Sequence, residues 1–149
     1  MTEDSLARTF IPTPPNSNGR VDEDQSPYTL APPVARVRAG LPFDEFLFVR
    51  DLYDLPELAF AKFLSMSAAT LHRRKKAGKL SSAESERLIR YARLFGQAME
   101  FIESEEGARN WLKTANPGTA GESPLSYADT EIGAREVENL LGRLEHGVF

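Results

Sequence analysis

The residues best equipped for chemistry in this chain are cations. Arg73, Arg74, Lys75 and Lys76 run consecutively, with Thr70 just before them and Lys79 just after. Guanidinium groups present paired donors to phosphate or to a guanine edge, and ammonium groups add point charge, so a short row of this kind suits a polyanion. The net charge of the chain is −4, yet residues 72–93 carry eight Lys/Arg against two Asp/Glu. Residues 1–71 carry six against ten, and residues 94–149 four against ten. One basic band in an otherwise acidic protein points to a local polyanion contact; a solvated basic helix face is the alternative that charge alone leaves open.

Acid–base and metal chemistry find little to work with. Cys is absent, which removes disulfides and thiolate metal sites. His72 sits among cations that disfavour its charged form, and His146 precedes Gly147 at a helix end, where a cation meets the dipole. Glu103, Glu105 and Glu106 form an acidic cluster of the kind that stays solvated at a helix terminus. There is no Gly-rich phosphate loop, no HExxH and no GxSxG. The expectation is a protein that is no enzyme and takes no metal and no cofactor.

The elements that hold the basic row are legible in the spacing of apolar residues. Hydrophobic residues make up 41% of the 149 and charged residues 27%, the balance of a globular protein. No apolar run approaches the roughly 20 residues that span a bilayer. The acidic Met1-Thr2-Glu3-Asp4 is followed by no signal-peptide core, so no membrane and a cytoplasmic place are expected. Residues 1–38 hold six of the ten prolines and show no apolar period. They are expected to form a flexible arm, with Phe10, Ile11, Tyr28 and Leu30 as anchors for a partner.

From Gly40 onward the pattern is helical. Pro42 suits a first helical position, and Phe43, Phe46, Leu47 and Leu52 follow at helical spacing. Pro56 restarts the chain for Leu58, Ala61, Phe63 and Leu64. After the break Ser65-Met66-Ser67, Ser67 caps a helix over 68–77 that Gly78 closes. Ser81 and Glu84 form a capping box opening a long helix with the stripe Leu88, Tyr91/Ala92, Phe95, Met99, Ile102, ended or bent at Gly107. Asn116 to Gly121 is a turn, Ser123-Pro124 opens a short helix, and Asp129 or Thr130 caps a last one with the face Val137, Leu140, Leu141, Leu144. The fold class expected is all-α: a helix-turn-helix unit over 39–96, joined by the long helix to a small helical unit over 97–149.

Two short helices with a three-residue break, the second rich in cations, suggest DNA binding. Ala61 is small where the second helix must cross closely, and Met66 and Leu71 plug the space between. The DNA-facing set is then Ser67, Ala69, Thr70, Arg73, Arg74 and Lys76, with Lys79 beyond them. Two departures stand out: Ser65 occupies the turn position usually held by Gly, and Arg74 falls near a position that is often apolar. A plain helical hairpin with solvated cations is the alternative. A single unit makes few phosphate contacts, so a homodimer reading two half-sites roughly 34 Å apart is expected.

The C-terminal third resembles a known family. Ala108-x-x-Trp111-Leu112, then Asn116-Pro117, Gly121 and Pro124-Leu125, is similar to the toxin-binding domain of the Xre/MbcA/ParS antitoxins. So is the run from Asp129-Thr130 through Gly133-Ala134, Glu136-Val137, Leu140-Leu141 and Arg143 to Glu145-His146-Gly147-Val148-Phe149. Upstream, Thr70 to Lys76 with Gly78, Leu80-Ser81, Glu84-Ser85 and Arg87-Leu88 resembles the Xre-like helix-turn-helix of the same family.

The resemblance implies a type II antitoxin that silences a RES-domain toxin, an enzyme that breaks down NAD, and that binds its own operator DNA within higher toxin–antitoxin assemblies. It implies a toxin face of Arg135, Glu138, Asn139, Arg143, Glu145, Gly147, Val148 and Phe149, with the apolar tail occupying the toxin's active-site cleft. The runner-up is a stand-alone dimeric helix-turn-helix repressor whose C-terminal unit only dimerises.

Overall fold

The structure is a computed structural model and describes residues 5–12 and 33–145. Among these residues there are eight α-helices, two short 3-10 turns and no strand, so the fold is all-α as expected. The helices are α1 (Pro33–Ala39), α2 (Phe43–Tyr53), α3 (Glu57–Phe63), α4 (Ala68–Ala77), α5 (Ser82–Ile102), α6 (Glu105–Lys113), α7 (Pro124–Tyr127) and α8 (Glu131–Glu145).

Helix α5 is the centre of the molecule. Leu88, Tyr91, Ala92, Leu94, Phe95 and Ala98 are all fully buried on it. That arc is wider than the single stripe its spacing suggests, because α1, α2, α6, α8 and the N-terminal 3-10 turn all pack against it. The buried residues form one continuous core from Leu6 to Leu141. The long helix therefore does more than join two units: each half of the chain packs onto it and into the same core. Seven aromatic rings fill one end of that core, among them Phe46, Tyr53, Phe60, Tyr91 and Phe95 in stacked and edge-on pairs. The Tyr53 hydroxyl donates to the Tyr91 carbonyl oxygen at 2.7 Å, and burial pushes its pKa well up.

Capping signals act where the sequence puts them. Ser67 accepts from Thr70 N, Ser104 from Gly107 N, Ser123 from Ser126 N and Thr130 from Gly133 N. The break after the long helix differs from expectation. It falls at Glu103, with φ +60°, and Gly107 lies inside α6. The Ser104 cap and the acidic first turn Glu105-Glu106 start the new helix before the glycine is reached. Pro42 likewise precedes α2 by one position. It sits in a short antiparallel bridge with Lys79, flanked by Phe43 N to Gly78 O (2.9 Å) and Leu80 N to Leu41 O (2.9 Å).

The arm over 1–38 is the larger correction. Residues 33–39 form α1, and Ala7–Phe10 form a 3-10 turn packed on α2 and α5, with Leu6 and Ala7 buried. Phe10 and Ile11, expected to anchor a partner, pack against this chain's own core; Tyr28 and Leu30 lie outside the described residues. The buried Glu45 on α2 accepts the Ala7 backbone N–H through Oε2 at 3.1 Å. On α5, a Cβ at Gly96 would stand 1.8 Å from the Phe10 carbonyl oxygen.

Docking of residues 5–12 therefore requires glycine at position 96, in the middle of a helix, where alanine is better by about 1 kcal/mol on propensity alone. Gly96→Ala is expected to destabilise the full chain but to stabilise a chain lacking residues 1–12 by up to about 1 kcal/mol. Paired urea titrations check that reversal of sign.

A cationic helix face and an α5–α8 groove

Helices α3 and α4 meet at a tight corner. Ser65 takes φ +59°, the left-handed conformation that glycine adopts more cheaply, and Met66 N closes the turn onto Ala61 O at 2.9 Å. Ala61, Met66 and Leu71 are buried, as the plug between the helices requires. Ala69, Arg73 and Lys76 are exposed on the side of α4 opposite Leu71, with Thr70 half-buried at the edge of that row. Ser67 and Lys79 are exposed at its two ends. Arg73 donates to Thr70 Oγ1 at 3.1 Å, and Thr70 Oγ1 also accepts from Ser67 Oγ at 3.1 Å, which steadies the row locally.

Arg74 stands apart from this set. Its Nε lies 2.8 Å from Oε1 of the buried Glu84, the capping residue of α5, which also accepts from Ser81 N at 2.9 Å. Burial alone would raise the Glu84 pKa, but the Ser81 N–H and the Arg74 guanidinium outweigh it and hold the carboxyl below its usual value. The pair pins the C-terminal end of α4 to the start of α5. Arg74 positions the helix, and the odd cation near an apolar position is explained by its buried partner.

The rest of the basic band is also largely engaged. Lys75 pairs with Glu57, Arg87 donates to Leu64 O, Arg90 to Asp129 O and Glu131, and Arg93 to Glu138. Among the described residues of the band, Arg73, Lys76 and Lys79 are the cations without a carboxylate or carbonyl partner. The charge offered to solvent is thus concentrated on and just after α4. His72 is exposed on the same helix.

The second site lies along α8. A groove of ≈ 570 Å³ is lined by Arg93, Gln97, Glu131, Arg135, Glu138 and Asn139. Arg135, Glu138 and Asn139 were expected on a docking face, and the groove brings these three together. Arg93 and Gln97 were not expected, since they stand on α5. The signal for Arg93 was the run Arg87, Arg90, Arg93 at every third position, matched by Glu131 and Glu138 seven apart on α8; nothing in the sequence marked Gln97. Arg93 reaches Glu138 at 3.0 Å, and the buried Gln97 Oε1 has no partner.

Arg143 is exposed on α8 and Leu141 is buried, while Leu140 and Leu144 are half-buried. The Glu145 side chain and Gly147, Val148 and Phe149 lie outside what the structure describes, as does His146. The motif residues around the groove hold the local fold. Asn116 Oδ1 accepts from Gly118 N at 2.8 Å, Thr119 is buried in the same turn, and a Cβ at Gly133 would stand 1.8 Å from Tyr127 O. Trp111 and Leu112 pack into the core on α6, which lies on α5, α7 and α2.

A helix-turn-helix with an exposed cationic second helix, sharing one core with a helical module that carries its own polar groove, defines a two-faced helical protein with a DNA-binding type of unit. Comparison with known proteins agrees. Residues 32–93 match the antitoxin Xre-like helix-turn-helix domain, and residues 97–147 match the antitoxin Xre/MbcA/ParS C-terminal toxin-binding domain. The chain is 32% identical over 118 residues to an Antitoxin Xre of Yersinia enterocolitica serotype O:8, covering 78% of this chain and 80% of that one. It is 38% identical over 72 residues to an Antitoxin Xre of Photorhabdus laumondii, covering 48% and 49%. A Prs ADP-ribosylating antitoxin of Sphingobium sp. is 27% identical over 96 residues, covering 58% and 60%. The chain belongs to the Xre antitoxin family. Among the described residues no helix is long and apolar enough to cross a membrane, and no cluster of acids and histidines could hold a metal.

The Glu84–Arg74 pair makes a pH-dependent contribution. A carboxyl held below its usual value stabilises the fold above the ordinary pKa of about 4.3 and loses that effect as pH falls through the lowered value. Glu84→Gln is therefore expected to destabilise by about 1 kcal/mol at neutral pH, with the difference shrinking toward about pH 3. Urea unfolding of both proteins at the two pH values measures it.

Proposed function

We propose that this antitoxin neutralises a RES-domain toxin that consumes NAD, and that it represses its own operon through α4. The observation that carries the toxin half is the α5–α8 groove, which joins Arg135, Glu138 and Asn139 within the matched toxin-binding domain. The polar groove offers a partner charges of both signs, from Arg93 and Arg135 and from Glu131 and Glu138. In this reading Arg143, Glu145 and the tail Gly147-Val148-Phe149 also contact the toxin, and the apolar tail occupies its cleft. The chain itself carries out no reaction and acts inside the cell.

The similarity to a Prs ADP-ribosylating antitoxin favours a second reading of the partner: a toxin that transfers ADP-ribose from NAD to a protein. One experiment separates the two. Inducing the RES-domain protein alone is expected to lower cellular NAD, and co-expressing this chain to restore it. Growth arrest at unchanged NAD, with an ADP-ribosylated protein present, supports the transfer reading. Arrest that this chain cannot relieve overturns both. Deleting residues 146–149 is expected to abolish neutralisation while promoter binding persists.

The DNA half is carried by the exposed row of Ala69, Arg73 and Lys76, with the half-buried Thr70 at its edge and Lys79 beyond it. Each cation that neutralises a phosphate contributes about 0.9 to the salt slope of binding. Arg73→Ala is expected to lower the slope of log affinity against log salt by about one per protomer, and Arg74→Ala to leave it unchanged while weakening the fold. Promoter titrations at several salt concentrations decide between these. An equal loss of slope in both variants would put Arg74 on DNA.

A further inference from the structure

We infer that Arg38, in the last turn of α1, joins Lys79 in a second contact with DNA, made to the phosphate backbone beside the groove that α4 enters. The inference rests on the DNA-binding reading above and extends it to a helix outside the α3–α4 pair. Helix α1 buries none of its seven residues, and its share in the core is the half-buried Val37. Its last turn carries charge, and Arg38 there is exposed. The C-terminal dipole favours a cation at that place but leaves the guanidinium donors unspent. Among the described residues Arg38 has no carboxylate partner.

Main-chain contacts fix where that charge sits. Gly40, directly after α1, takes φ +92°, and a Cβ there would stand 2.2 Å from the Leu80 carbonyl oxygen and 3.0 Å from Lys79 Cε. The chain therefore passes hard against residues 79–80, with the Lys79 stem beside it. Leu41 N donates to the buried Ser85 Oγ at 2.8 Å, Leu41 O accepts from Leu80 N at 2.9 Å, and Phe43 N donates to Gly78 O at 2.9 Å. These bonds lock the end of α1 to the segment that links α4 to α5. Arg38 stands two residues before Gly40, next to the exposed Lys79.

Position along α4 assigns the contact to phosphate. A helix-turn-helix sets the N-terminal part of its second helix against base edges in the major groove. Ser67, Ala69 and Thr70 are at that end, with Arg73 and Lys76 further along. Lys79 follows the helix, and Arg38 lies beyond it on another element, at the end farthest from the bases. Exposed cations at that end meet the backbone, where contacts set the register of the protein on the duplex without reading sequence. The positive face is thus continuous from α4 onto α1, although Arg38 and Arg73 are 35 positions apart in the chain.

The test is titration of the full chain, Arg38→Gln, Arg38→Lys and Arg73→Ala onto promoter DNA and onto an unrelated duplex, each at several salt concentrations, with far-UV circular dichroism of every variant. Arg38→Gln is expected to lower the slope of log affinity against log salt by about 0.9 per protomer, and to weaken binding to both duplexes by the same factor. Arg38→Lys keeps the point charge and is expected to keep the slope. A slope unchanged in Arg38→Gln while Arg73→Ala lowers it overturns the inference and leaves the DNA reading standing. A slope unchanged in both overturns the two together. Loss of affinity at an unchanged slope gives Arg38 to a protein contact, and loss on the promoter alone gives it to a base; either overturns the phosphate assignment. Should Arg38→Gln reduce helicity, Arg38→Lys decides: a slope lowered in that variant, at full helicity, overturns the inference, and a retained slope upholds it against a Lys79→Gln control that loses about 0.9.

Discussion

One oxygen of Glu84 accepts both the Ser81 backbone N–H and the Arg74 guanidinium. The first contact closes the capping box that starts α5; the second fixes the end of α4 against that start. Because the carboxylate is buried, neither donor can be lost without leaving charge or a polar group poorly paired, so the joint has a single low-energy geometry. Everything that α4 offers to a partner is therefore oriented relative to α5. Helices α1, α2, α6 and α8 and the N-terminal 3-10 turn are packed onto α5 as well.

That arrangement has a cost in the helix itself. Gly96 weakens α5 on propensity, yet it allows the backbone of residues 5–12 to approach closely enough for Leu6 and Ala7 to be buried. Arg109 and Lys113 on α6 donate to the carbonyl oxygens of Leu52 and Asp54 at the end of α2. These contacts satisfy a helix terminus of the helix-turn-helix unit with cations from the C-terminal domain. The two matched family domains are separate in sequence, but they share a helix, a core and a set of capping contacts.

Electrostatics divides the basic band into two populations. Arg74, Lys75, Arg87, Arg90 and Arg93 answer carboxylates or carbonyl oxygens of this chain, and their charge is spent on holding α3, α4, α5 and α8 together. Arg73, Lys76 and Lys79 remain available for a polyanion. A chain that is acidic overall can then present a small positive face without a large field around it, which favours a specific contact over indiscriminate adhesion to nucleic acid.

The all-α class, the α3–α4 corner, the capping of α4 and α5 and the row of Thr70, Arg73 and Lys76 were all legible in the sequence, because they depend on neighbours within one or two helical turns. The family motif of the C-terminal third was legible for the same reason: Asn116, Thr130 and Gly133 act through local turns and caps. The docking of residues 5–12, the role of Gly96, the partner of Arg74 and the entry of Arg93 and Gln97 into the α8 groove were decided only by tertiary structure. Each joins residues on different elements, from ten positions apart for Arg74 and Glu84 upward, and no periodicity records such a pairing. A short apolar run such as Leu6-Ala7 cannot announce its burial, since the surface that buries it is assembled from α2 and α5. Local chemistry therefore specified the helices and the kind of face they carry. Long-range packing chose which cations are left free to use it.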